Sequence, residues 1–286
     1  MLRLLKMIFR LLVLLIVAGA LLLTYARYIE PRLLVTEEVS IYSDRLASGQ
    51  KELTVAAFAN THFSDYYTTE DFARVVKKIN AMEPDLIFFL GDLIDHYDEY
   101  EGDPADISAA LAKLRASCGK YAVFGNHDYG GGAERHYQDI MEAGGFTVLM
   151  NESADLDSLG LTIVGIDDIM IGYGDPAAAA KCRTDSYNIL LCHEPDIVTD
   201  MTDYDIDLML SGHTHGGQVR VPFFDWESYL PPYGRVYQRG LYQLENGRGT
   251  DLYVTRGIGT TTLPLRFMSL PELTKITFTN EAAPSE

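Results

Sequence analysis

Two histidines stand two residues apart in the run Ser211-Gly212-His213-Thr214-His215-Gly216-Gly217. Imidazole is the commonest metal ligand, and a pair at this spacing suits one metal ion or two adjacent ones. The flanking glycines fit a backbone that bends sharply and lets a ligand approach. Four clusters of similar character lie upstream: Asn60-Thr61-His62, Gly91-Asp92 with Asp95, Asn126-His127-Asp128, and His193 before Glu194-Pro195. The clusters hold five of the seven histidines; His96 and His136 fall outside them and read as surface residues.

Something must bring these clusters together, and the runs before them indicate what. Residues 52–59, 86–90, 121–124, 189–192 and 208–211 are short apolar stretches, as expected of strands covered on both faces. Helical spacing of Phe72, Val75, Val76 and Ile79 predicts a helix over 69–82, opened by threonine and acids. Further helices are expected over 107–116 and 134–143. Further strands are expected over 146–149, 161–165, 218–221, 240–244, 252–255 and 273–278. Ligands in open α/β sheets bind beyond the carboxyl ends of the strands, so five clusters at five such ends could build one site.

The ordered set Asn60-x-His62, Gly91-Asp92-x-x-Asp95, Gly125-Asn126-His127-Asp128, His193, Gly212-His213-x-His215 resembles the calcineurin-like metallophosphoesterase superfamily. The blocks at 212–222, 233–234, 240–242, 252–260 and 263–267 look like a bacterial membrane-anchored branch of it. The resemblance implies a two-sheet α/β sandwich with flanking helices and a two-metal phosphoesterase activity on a phosphate ester or pyrophosphate. It implies Asn60, His62, Asp92 and His215 around a first metal, and Asp92, Asn126, His193 and His213 around a second. His127 would protonate the leaving oxygen and Asp95 would orient it. Imidazole and oxygen donors without thiolate suit Mn, Fe or Zn better than Mg or Ca.

One block departs from the superfamily pattern: Asn60 stands where aspartate is usual. An amide oxygen can ligate, but without charge. The centre is then one unit more positive, which attracts phosphate more strongly, holds the first metal less tightly and lowers the pKa of a bridging water. Three readings stand: an active enzyme with a weaker first metal, a one-metal or non-catalytic phosphate-binding or regulatory module, or a substitute carboxylate such as Asp65. Arg256 and Arg266 are candidates for a phosphate oxygen, or for loop carbonyls. Phe223, Phe224, Trp226, Tyr229 and Tyr233 could form a lip for an apolar substrate part or pack on the C-terminal strands.

Composition narrows the partners. The 286 residues carry a formal net charge of −18, which argues against nucleic acid. Residues 11–26 hold no charge, and Met7, Ile8 and Phe9 extend the apolar run across Arg10. That length spans a bilayer if Arg10 snorkels to the interface. The preceding Arg3, Lys6 and Arg10 predict a cytoplasmic N-terminus and a single-pass membrane protein with its domain outside; a cleaved signal peptide is the alternative. The expected organisation is an anchor over 1–28, a connector over 29–50, the metallophosphoesterase domain over 51–280 and a flexible tail over 281–286. Membrane tethering makes lipid-linked phosphates candidate substrates beside phosphorylated small molecules. Cys118, Cys182 and Cys192 form no metal-binding spacing and are expected as buried thiols.

Overall fold

The computed structural model describes residues 1–45, 52–224, 229–245 and 247–280. The tail expected over 281–286 and Trp226 lie outside the described residues.

Among the described residues, two six-stranded sheets form the domain. The first runs in the order β1 (Val35–Tyr42), β12 (Glu272–Thr279), β2 (Glu52–Phe58), β3 (Leu86–Phe89), β4 (Gly119–Ala122), β5 (Thr147–Val148). The second runs β10 (Gly240–Gln243), β11 (Asp251–Val254), β9 (Leu208–Ser211), β8 (Tyr187–Leu191), β7 (Leu161–Gly165), β6 (Glu152–Leu156). Strands β2 to β5 are parallel, and so are β7, β8, β9 and β11. Parallel strands deliver their carboxyl ends to one edge, and every ligand cluster follows such an end.

The apolar strands are continuous because each has two buried faces. From β2, Val55 and Ala57 face the second sheet, packing with residues such as Ile189 and Leu210. The alternate residues Ala56 and Phe58 face the helices α2 (Thr69–Ala81), α3 (Pro104–Leu111) and α4 (Tyr137–Ala143) through Phe72, Ile79, Leu111 and Met141. The outer face of the second sheet is covered by 3-10 turns, Pro176–Lys181 and Pro195–Asp200. Helix α2 starts at Thr69 as expected, but the threonine before it is the cap: Thr68 accepts from Asp71 N at 3.4 Å while Asp71 Oδ2 accepts from Thr68 N at 3.3 Å.

The connector expected over 29–50 contains strand β1, paired in parallel with β12 from Val35↔Glu272 to Tyr42↔Thr279. The strand expected over 218–221 is instead a loop with a single bridge, Val219↔Phe267. Gln218 has φ 44°, incompatible with a pleat, and its side-chain amide donates to the Thr261 and Leu263 carbonyls. No disulfide joins the three thiols, and only Cys192, at the end of β8 with both sheet faces covered, is buried; Cys118 is exposed in the turn that leads into β4.

The N-terminal helix α1 (Leu2–Thr24) winds into a π turn at Tyr25–Ile29 and a 3-10 turn at Glu30–Arg32. Its mean hydropathy reaches 2.6, and it is long and apolar enough to cross a membrane, as an anchor or a signal sequence would be. Its far end packs on the domain. Arg266 N donates to Ala26 O at 2.9 Å, Ser269 N donates to the buried Glu30 Oε1 at 2.7 Å, and Tyr25 meets Phe267 edge to face.

Candidate metal centre

Tight turns after five strands supply the site. Asn60, His62, Asp92, His213 and His215 all have positive φ, from 45° to 68°. This backbone region is uncommon for residues with a side chain, and strain of this kind collects where side chains must be aimed at a ligand. The turns approach each other closely: a Cβ on Gly125 would lie 2.5 Å from Asp92 Oδ1, so only glycine fits there.

Asp92 is central. Its Oδ2 lies 3.4 Å from His62 Nε2 on one side and 3.0 Å from His193 Nε2 on the other. His62 Nε2 is 3.0 Å from His215 Nε2. Three groups of donors converge within 4.8 Å among the described residues: His62, Asp95 and His127, and the two that share Asp92, namely His62, Asp92 and His215, and Asp92, His193 and His213. Asp92 belongs to the last two, the arrangement a bridging carboxylate needs. Asn126, half-buried, turns an amide oxygen inward that has no hydrogen-bond partner, and His193 Nε2 likewise has none despite its short distance to Asp92, which is off-angle for a hydrogen bond. Buried acceptor atoms left without donors fit divalent cations between these groups. The opposite ring nitrogens are anchored, His193 Nδ1 at 2.5 Å from Leu90 O and His213 Nε2 at 2.8 Å from Pro232 O. Such anchoring fixes which nitrogen faces a metal.

Electrostatics follow from this packing. Burial opposes charge on His62 and His193. Hydrogen bonds and charge from Asp92, with Asp95 helping at His62, outweigh it and raise them to about 8 and about 10. Burial would also raise Asp92, but the His193 and His127 charges hold it well below the usual carboxylate range. Burial and the nearby His193 lower His213 to about 4; burial, His62 and Arg266 hold His215 well below the usual imidazole value.

His127 and Asp95 meet, in a different way from that expected. His127 Nδ1 lies 2.5 Å from the Asp95 backbone carbonyl and 3.6 Å from its carboxylate. The carboxylate sits closer to His62 Nδ1, at 3.0 Å, off-angle for a hydrogen bond. Asp95 thus reaches His127 through its main chain and His62 through its side chain.

Arg256 and Arg266 serve the loops. Arg256 Nε donates to Glu272 Oε2 at 2.6 Å and its Nη2 pairs with Glu37. Arg266, fully buried, donates to the carbonyls of Gly259, Ser269 and Arg256, and its guanidinium lies 3.4 Å from His215 Nδ1. Asp65 is exposed and outside the donor groups, so it supplies no substitute carboxylate. His96 and His136 are exposed, as expected, with His136 stacked on Tyr97.

Two acidic features carry roles that motif reading leaves unassigned. Asp128 accepts backbone N–H bonds from Gly125, Asp92 and Leu93, each at 2.8 Å, clamping two ligand-bearing loops together. Burial and the Asp92 charge push it up to about 7. Behind His193, Glu194 is buried, and burial with Asp168 nearby raises its carboxyl well above the ordinary value. The adjacency of Glu194 to His193 was the only sequence signal of it.

Above the donors opens a cavity of about 550 Å³. Asp92, Asn126, His127, His213 and His215 line its floor; Val221, Phe224, Tyr229, Leu230 and Leu263 are among its walls. Phe223, Phe224, Tyr229 and Tyr233 are exposed, and Phe224 and Tyr229, stacked at 5.9 Å, line the opening.

Residues 53–217 match the family model for the calcineurin-like phosphoesterase domain. The chain belongs to that family. It is 44% identical to the uncharacterized metallophosphoesterase YkuE of Bacillus subtilis (strain 168), over 88% of each chain. An uncharacterized metallophosphoesterase of Aquifex aeolicus (strain VF5) is 31% identical over 90% of this chain and 97% of its own. The phosphodiesterase YaeI of Escherichia coli (strain K12) is 29% identical over 88% of this chain and 91% of its own. Family membership makes this a metal-binding hydrolase of phosphoesters, and the convergent donors agree with that chemistry.

Proposed function

We propose that the chain is a membrane-anchored phosphodiesterase or pyrophosphatase acting on an amphiphilic, lipid-linked phosphate. The observation that carries this reading is the cavity: histidines and Asp92 on the floor, apolar and aromatic walls above. A phosphate would meet the floor while an apolar chain lies along Val221, Phe224 and Leu263. The relative named a phosphodiesterase supports a diester or pyrophosphate bond. Packing of Tyr25 and Ala26, the end of the apolar run, on the domain supports a retained anchor, because cleavage after that run would remove both residues and their contacts. With the N-terminus cytoplasmic, the domain faces outward.

In this reading Mn, Fe or Zn is held at two positions, by His62, Asp92 and His215 beside Asn60, and by Asp92, Asn126, His193 and His213. Two such ions, when bound, supply Lewis acidity and an activated water for in-line displacement. His127 acts from the cavity floor. Its Nδ1–H is spent on the Asp95 carbonyl, which leaves Nε2 to pass a proton to the leaving oxygen. The apolar walls exclude water from the apolar part of the substrate and fix its direction.

The test uses the full chain in detergent with Mn(II). Hydrolysis of bis-p-nitrophenyl phosphate is compared with that of phosphodiesters and diphosphates bearing apolar chains of increasing length. Rising kcat/KM with chain length is expected; a flat series would refute the amphiphilic substrate. A second reading, a phosphate-binding or regulatory module, is favoured by Asn60. It predicts phosphate binding without turnover of any ester, unchanged in His127→Ala.

A further inference from the structure

We propose that Asn60 is a hydrogen-bond donor to an anionic oxygen at the centre and not a metal ligand, so that the first metal position has three protein donors. The inference rests on the metal-centre reading above and concerns how this chain departs from a symmetric pair of sites.

Asn60 is fully buried, and its amide has two ends with opposite chemistry. The oxygen is already committed: the backbone N–H of His213 donates to Asn60 Oδ1 at 3.1 Å. Turning the amide over would set an NH2 group against that N–H and strand two buried donors. The side chain also has little room to swing. A Cβ on Gly212 would lie 2.6 Å from Asn60 Oδ1, and one on Gly257 would lie 2.6 Å from Asn60 Cβ, so both strands of chain press on it. The remaining end, Nδ2, is buried and has no partner.

At the second position both partnerless atoms can offer a lone pair, Asn126 Oδ1 as it stands and His193 Nε2 once its proton leaves. A cation satisfies them. At Asn60 the partnerless atom is a donor, with no lone pair to offer a cation. An aspartate here would give one oxygen to the His213 N–H and the other to a metal. The asparagine gives the same first bond, then an N–H where the second oxygen would be. What satisfies it is an oxygen with negative charge, such as a phosphate oxygen or a metal-activated water. The first metal is then left with His62, Asp92 and His215.

The test is Mn(II) titration of the full chain in detergent, followed by calorimetry and electron paramagnetic resonance. The parent protein is expected to take one ion tightly and a second about tenfold or more weakly, with the spectrum of isolated ions at one equivalent. Asn60→Asp should close that gap and give an exchange-coupled spectrum at two equivalents. Asn126→Ala should remove the tight site. With one equivalent of Mn(II), inorganic phosphate should bind the parent about tenfold more tightly than Asn60→Asp. The proposal is overturned if the parent already takes two ions equally with a coupled spectrum, or if the tight site survives Asn126→Ala and is lost in His215→Ala. Equal phosphate affinity in the two proteins overturns the donor role. Absence of Mn(II) binding in both proteins would overturn the metal centre itself and this inference with it, a result distinct from an asymmetric centre that fails to turn over lipid substrates.

Discussion

Replacing Asp128 with alanine should loosen the centre from beneath. The carboxylate accepts from three backbone N–H groups, those of Gly125, Asp92 and Leu93, all at 2.8 Å. Each buried N–H left unpaired costs about 1–3 kcal/mol. The sum belongs at the low end of its range for two reasons. Half-buried His127 next door lets water reach the gap, and burial with the Asp92 charge, having pushed the carboxyl to about 7, makes its ionised form costly at neutral pH. A net loss of about 3–5 kcal/mol follows, which for a domain of this size lowers the melting temperature by about 6–20 °C. An amide at this position would keep one acceptor oxygen for two of the three donors, so Asp128→Asn should lose about half as much. The assay is calorimetric melting of the full chain with metal removed by chelator, at one scan rate, so that ion binding does not mask the effect. Mn(II) affinity at the position holding Asn126 should fall in parallel, since the clamp ties that loop to Asp92. An alanine variant melting within about 2 °C of the parent would refute the clamp.

Metal binding should expel about two protons at pH 7, because His62 and His193 are raised to about 8 and about 10 and must be neutral to ligate. Both values exceed the ordinary 6.5, so these protons stabilise the metal-free fold fully below pH 6.5, and that contribution is lost as pH rises through about 8 and then about 10. Titration calorimetry in buffers of different ionisation enthalpy counts the protons; a count near zero contradicts the His–Asp92 pairing. His127→Ala should lower turnover about 10²–10⁴-fold while both Mn(II) ions still bind, and loss of metal in that variant would contradict the proton-donor role. Leu263→Glu, on the cavity wall, should depress kcat/KM for apolar-chain substrates but leave bis-p-nitrophenyl phosphate hydrolysis within about twofold; equal losses on both would argue against a lipid-facing wall.

Most of the centre could be read from the chain because its residues come in local blocks, each closing a buried strand. Asn60 to His62, Asp92 to Asp95 and His213 to His215 needed only their neighbours to be noticed. Strand β1 was missed for the opposite reason. Its Glu37 and Glu38 blur the alternation, it lies at a sheet edge, and its partner β12 is more than two hundred residues away. Arg266 shows the same limit. Its place beneath His215 depends on carbonyls of the 256–269 loop that no spacing rule connects to the histidine. The Asn60 substitution was visible in the sequence, but the direction of its amide is set by the His213 N–H, 153 positions away.

The contact between Glu30 and Ser269 bears on where the protein can work. A flexible tether would let a catalytic head sample a hemisphere above its attachment point, and its reach would grow with linker length. Here the helix end is bonded to the loop that also carries Arg266, so attachment and cavity move as one body. On the anchored reading, the mouth of the cavity stays at one height and one tilt above the lipid. On that reading a lipid-linked substrate would arrive by lateral diffusion in the same leaflet, and a phosphate standing farther from the surface would pass overhead untouched.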